Sequence, residues 1–168
     1  MPVKARFIGM LAGVLLLSLV AFAGWRMLEP DAAPQVTYKL IDGRRIAQQQ
    51  LRGKVVLVNF WATSCVTCVR EMPALAETHR RFSARGFETV AVAMAYDRPD
   101  HVLHFARTRA LPFAVALDLQ GETAAAFGDV AVTPTSFLID RDGRIIEQWV
   151  GAPDFDALHA LIERRLPG

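Results

Sequence analysis

The sequence predicts an α/β domain with a mixed central β-sheet flanked by helices, preceded by one N-terminal transmembrane helix. Three observations carry this reading. Two runs, Val55 to Trp61 and Glu88 to Ala95, are continuously apolar or β-branched, as strands covered on both faces are. Segments of helical period alternate with them, which favours parallel pairing. Asp140-Arg141-Asp142-Gly143 then marks a tight turn between Thr135 to Ile139 and Ile145 to Val150, adding an antiparallel hairpin.

Along the chain, Lys4 and Arg6 precede an uncharged stretch from Phe7 to Trp25, which Arg26 ends. Nineteen residues at about 1.5 Å each span roughly 28 Å, close to a bilayer's hydrocarbon thickness. Positive charge ahead of the stretch favours a cytoplasmic N-terminus and export of the downstream chain. Ala21-Phe22-Ala23 resembles a signal-peptide cleavage site, so a cleaved signal is the competing reading. The apolar run is longer than the roughly 7–15 residues of a signal-peptide core, which favours the anchor. Both readings deliver the domain to an oxidising, extracytoplasmic compartment. The expected organisation is an anchor or signal over 1–28, a proline-flanked linker over 29–34 and one domain over 35–168.

Within the domain, Val36 to Ile41 reads as a strand closed by a turn at Asp42-Gly43, and Val55 to Trp61 as the central strand. A helix is expected from Cys65 to about Arg85, kinked at Pro73 and stopped by Gly86. After the strand Glu88 to Ala95 comes a helix over Pro99 to Arg109, with Val102, Phe105 and Ala106 on one face. A short strand, Phe113 to Leu117, and a short helix, Glu122 to Phe127, precede the hairpin. The last helix, Asp154 to Leu166, turns Phe155, Leu158, Leu161 and Ile162 inward. A net charge of +2, with no Lys or Arg run beyond the N-terminus, argues against a nucleic-acid partner.

The chain has two cysteines, Cys65 and Cys68. A disulfide enclosing two residues constrains the unfolded chain little, so chemistry explains the pair better than stability. Cys65 falls at the start of a helix, where unsatisfied N–H groups and the helix dipole favour a thiolate. Cys68 lies on the same face one turn deeper, at a spacing a disulfide can close. This predicts a cycling dithiol: Cys65 attacks a client disulfide, and Cys68 then resolves the mixed disulfide. Two sulfurs suffice, so no cofactor and no metal are expected. Zinc would need two of His79, His101, His104 and His159 as well, and none lies near the cysteines in sequence. His101 and His104, like Arg80 and Arg81, read as solvated helix faces.

The segment Gly53-Lys54-Val55-Val56-Leu57-Val58-Asn59-Phe60-Trp61-Ala62-Thr63-Ser64-Cys65-Val66-Thr67-Cys68-Val69-Arg70-Glu71-Met72-Pro73 resembles the active-site segment of TlpA/ResA-like thioredoxins. Val132-Thr133-Pro134-Thr135-Ser136-Phe137-Leu138-Ile139-Asp140-Arg141-Asp142-Gly143 is similar to their second signature. The likeness covers about residues 35–168. It implies a thioredoxin-like fold and an exported, membrane-anchored thiol–disulfide oxidoreductase of the inner membrane, with its catalytic domain in the periplasm. It also implies a cis Pro134 beside the cysteines, with Thr133 offering backbone groups to an incoming peptide. Trp61 and Ser64 complete the expected client-binding set. The implied partners are client proteins with cysteines or disulfides, among them apocytochromes and copper-site proteins, and a membrane-embedded dithiol electron donor.

The chain departs from the family at several points. Ser64 and Thr67 stand where the family commonly has Trp and Pro, which opens the rim around Cys65. Asn59 stands where cytosolic-type thioredoxins have a buried Asp, so Cys68 needs another base, or water. Glu71 is the nearest carboxylate in sequence and reads more readily as an exposed helix residue. Val66-Thr67 holds no cationic group of the kind that stabilises the reduced form of strong oxidants, so the protein is expected to be a reductant or a mild exchanger. Two alternatives use the same fold or the same sulfurs. A peroxiredoxin-type peroxidase wants Thr or Ser where Ala62 stands, and a metallochaperone would hold Cu(I) through both thiolates.

Overall fold

The computed structural model describes Ser18 and residues 31–167. The expected anchor or signal, 1–28, lies outside the described residues apart from Ser18, as do the first two residues of the linker. Among the described residues no helix is long and apolar enough to cross a membrane.

A five-stranded sheet forms the centre, in the order β5-β4-β3-β6-β7. Strand β3, Val55–Trp61, is buried along its whole length, as its unbroken apolar sequence requires. It pairs in parallel with β4, Phe87–Ala93, and antiparallel with β6, Thr135–Ile139. Strand β5, Ala114–Leu117, extends the parallel side, and β7, Ile145–Val150, the antiparallel side.

Alternate residues of β3 serve opposite faces. Val55, Leu57 and Trp61 pack beneath helices α1, Val66–Phe82, α2, Pro99–Thr108, and α4, Phe155–Arg165, which contribute Leu75, Val102 and Leu158. Val56, Val58 and Phe60 pack on the other face with Tyr38, Leu51, Phe127 and Phe137. Helix α1 ends in a 3-10 turn, Ser83–Arg85, and Gly86 at φ +95° takes the left-handed conformation that lets the chain leave it.

The single strand expected over Val36 to Ile41 is corrected. Strand β1 is Thr37–Lys39, and the Asp42-Gly43 turn folds the chain back into β2, Arg45–Ala47, as a separate two-stranded sheet. A 3-10 turn, Gln48–Leu51, comes next. Three residues, two of them only partly buried, are too few to show a readable alternation.

Helix α3, Glu122–Ala126, is held from below by Asp118, whose buried carboxylate accepts the N–H groups of Thr123 at 3.0 Å and Ala124 at 2.8 Å. Asp118→Ala leaves both donors unpaired. It is expected to cost ~1–2 kcal/mol in urea unfolding, and a loss below ~0.5 kcal/mol would show that the cap contributes little.

This topology brings three connections to one edge of the sheet. Chain leaving the C-terminal end of β3 enters α1 through Ala62-Thr63-Ser64-Cys65. Chain leaving β4 forms the loop 94–98. Strand β6 runs opposite to β3 with Thr135 facing Phe60, so residues 132–134 arrive at the same edge.

Candidate active site

Cys65 is the N-cap of α1, with extended backbone, and its sulfur accepts the backbone N–H of Cys68 at 3.2 Å. That donor is one of the N–H groups a helix start leaves unsatisfied, and it stabilises negative charge on the sulfur. Cys65 and Cys68 are joined as a disulfide with Cα atoms 5.2 Å apart. Cys65 is half-buried, whereas Cys68 has no exposed surface. The two sulfurs therefore differ in both access and setting.

The Thr133–Pro134 bond is cis, and the Thr133 carbonyl oxygen lies 3.6 Å from Cys65 Sγ. Pro134 is buried and Thr133 half-buried. Gly151 N–H donates to the Pro134 carbonyl at 2.7 Å, and Thr135 Oγ1 donates to the Val132 carbonyl at 2.8 Å, which fix the loop from both sides. Ser64 is exposed beside Cys65, as a small polar rim residue should be. Exposed Val66, Tyr96 and Val132 add apolar surface next to Cys65 and Thr133.

Trp61 is not on this surface. It is fully buried, its ring 5.2 Å from that of Phe105, so it supports the site from within the core and offers nothing to a client in this oxidised form. The apolar run that makes β3 a central strand also places its last side chain inside.

Glu71 is the second correction. It is 4% exposed, not a surface residue, and its Oε1 accepts an N–H of Asn59 at 2.9 Å. Asn59 Nδ2 donates its other hydrogen to Ser136 Oγ at 2.9 Å. Burial pushes the Glu71 carboxyl up to about 7, with the Asn59 hydrogen bond opposing only in part. Its Oε2 is buried without a hydrogen-bond partner, which further disfavours the charged form. The amide on β3 thus receives a carboxyl from α1, one helical turn past Cys68. The helix pattern carried this signal: Cys68, Glu71, Met72, Leu75 and Ala76 repeat at the spacing of the buried face.

Asp97, buried in the loop after β4, accepts both the backbone N–H and the hydroxyl of Thr63. The neighbouring Tyr96 hydroxyl lies 3.2 Å from Thr133 Oγ1. Nothing local in sequence marks these residues, because the contacts cross more than thirty positions. His101 and His104 are exposed on α2, away from the sulfurs' hydrogen bonds.

Comparison with known proteins agrees with this arrangement. The redoxin family profile matches residues 29–162. The thiol-disulfide oxidoreductase ResA of Bacillus anthracis is 33% identical over 135 residues, covering 80% of this chain and 77% of that protein. ResA of Bacillus subtilis (strain 168) is 32% identical over 148 residues, covering 88% and 82%. Among solved structures, a thioredoxin-family thiol:disulfide interchange protein of Chlorobium tepidum superposes with a TM-score of 0.74 at 27% identity, covering 81% of this chain and 96% of that one. The fold is thioredoxin-like, and the chain belongs to the redoxin family as a ResA-like thiol-disulfide oxidoreductase.

Proposed function

We propose that this protein is an exported, membrane-anchored reductant of client-protein disulfides, with residues 1–28 as its anchor and the domain in the periplasm. The observation that carries the catalytic assignment is the asymmetry of the pair: an accessible Cys65 sulfur at a helix N-terminus, next to the Thr133 carbonyl, over a fully buried Cys68.

The client strand lies along Thr133 and Pro134, with Ser64 at the rim, and presents a sulfur to Cys65. The Cys65 thiolate attacks it. The client S–S bond breaks, a mixed disulfide forms, and the departing client sulfur takes a proton. Cys68 then loses its proton, and its sulfur attacks that of Cys65. The mixed disulfide breaks, the client leaves as a dithiol carrying two electrons, and the Cys65–Cys68 disulfide remains. Glu71, with a carboxyl poised near neutrality one turn from Cys68, is the group that accepts the Cys68 proton. Val66-Thr67 brings no cation to stabilise the reduced form, which favours electron flow from the protein to its client.

A reductant in an oxidising compartment needs continuing electrons, so a membrane-embedded dithiol donor reduces the Cys65–Cys68 disulfide after each turnover. The apolar stretch Phe7 to Trp25 keeps the domain at the same membrane. Apocytochromes and copper-site proteins are the client classes that the family likeness brings forward.

Cys68→Ser tests the reading. This variant still attacks but cannot release, so it should accumulate covalent, dithiothreitol-cleavable adducts through Cys65, and their mass spectra name the client. Absence of adducts from cells, with Cys65→Ser instead forming them, would reverse the roles of the two sulfurs.

A further inference from the structure

The loop after β4 holds a buried acid to which the exchange steps give no role. Asp97 is 8% exposed, and both its oxygens address one residue of the turn leading into the nucleophile. Its Oδ2 accepts the Thr63 backbone N–H at 2.5 Å, and its Oδ1 accepts the Thr63 hydroxyl at 2.6 Å. Two accepting oxygens are the pattern of an ionised carboxylate. Thr63 stands two residues before Cys65, so this charge is bonded to the turn that carries the nucleophile.

Other charged and titratable groups surround the turn. Glu71 and Arg70 lie on α1, buried and exposed respectively. Arg98 pairs with Asp100 at 2.8 Å in solvent. Asp100, His101 and His104 line one shallow cavity with Thr63, and Tyr96 bonds Thr133. Asp97 differs in bonding directly to the turn itself, from a buried position where solvent screens it least.

We propose that Asp97 is a positioning residue that sets the acidity of Cys65, its fixed negative charge opposing thiolate formation and biasing the couple toward the reductant direction. The helix N-terminus and the Cys68 N–H pull the Cys65 proton off, and Asp97 holds it on. A less stabilised thiolate makes the reduced form a better electron donor, because strong oxidants are those whose reduced form is stabilised. This inference rests on the reading of Cys65 as the attacking sulfur.

The test is ultraviolet thiolate titration of the reduced full-length Cys68→Ser protein, with and without Asp97→Asn. Asparagine keeps the shape and one acceptor and removes the charge. The Cys65 midpoint should fall by roughly 0.5–1.5 pH units. Asp97→Glu, which keeps the charge, should hold the midpoint within about 0.3 units of the parent, and so should Thr63→Val, which removes only the hydroxyl bond. An unmoved midpoint in Asp97→Asn overturns the proposal, and so does an equal fall in Thr63→Val or Asp97→Glu, which would assign the effect to geometry. Asp97→Ser supplies a second uncharged variant should asparagine fail to fold. Peptide mapping of alkylated wild-type protein separates the two ideas. A label shared equally by both cysteines sinks the assignment of the nucleophile, whereas a label on Cys65 with an unmoved midpoint sinks only the role of Asp97.

Discussion

Cys65→Ser is expected to abolish disulfide exchange, with insulin-disulfide reduction falling on the order of 10³-fold or more, to the uncatalysed rate. The hydroxyl of serine is not ionised near neutrality, so the N–H of Cys68 and the helix N-terminus have no anion to stabilise. Cys68 cannot take over. It has no exposed surface and lies beneath the accessible sulfur, so an incoming disulfide does not meet it without opening the first turn of α1. The variant should fold normally, because a two-residue loop adds little stability when closed. Thermal unfolding beside the activity assay separates loss of chemistry from loss of structure. Substantial exchange by folded Cys65→Ser protein would contradict the assignment of roles.

Glu71→Gln is expected to have two effects that share one cause. The carboxyl titrates near its ordinary 4.5 in the unfolded chain and is pushed up to about 7 by burial in the folded one. Below about pH 4.5 both states are protonated, and Glu71 costs the fold nothing. Between about pH 4.5 and 7 the unfolded chain releases the proton that the folded protein keeps, so stability falls by roughly 2–3 kcal/mol. It then levels off above about 7, where the folded protein carries the buried charge. Glutamine keeps the oxygen that accepts from Asn59 and never ionises. The variant should therefore lack this slope and be the more stable protein at pH 8, as read from urea unfolding at pH 5 and pH 8. Activity should move the other way. With no carboxylate to take the Cys68 proton, release of the mixed disulfide should slow by on the order of 10²-fold, and its rise with pH through neutrality should disappear. Equal pH profiles for wild type and Glu71→Gln would remove Glu71 from the mechanism. A destabilising group retained in the core is the kind of local conflict expected at functional sites.

Much of the fold was legible because its signals are local. Continuous apolar runs marked β3 and β4, Gly86 marked the end of the first helix, and Asp140 to Gly143 marked the hairpin of β6 and β7. The β1–β2 hairpin was half legible. Its turn was visible at Asp42-Gly43, but its three-residue return strand, opening with Arg45, shows no period. The cysteine pair was also legible, since a helix N-terminus after a buried strand suffices to find it. For Trp61 the family position speaks of the site, whereas strand alternation sends the side chain into the core. Glu71 is hard to place from sequence because a charged residue usually faces solvent. Its place between Cys68 and Met72 on the buried helix face outweighs that tendency, and Asn59 supplies the hydrogen bond that permits it. Asp97 and Tyr96 were invisible, since their meaning lies in contacts with Thr63 and Thr133 that exist only after the chain has folded.

Limited alkylation of the reduced wild-type protein at mildly acidic pH, with peptide mapping of the product, weighs the division of labour between the two sulfurs most directly. A half-buried, helix-capping sulfur above a fully buried one predicts that nearly all label falls on Cys65 while Cys68 stays free. Equal labelling at the two positions, or preference for Cys68, would contradict it.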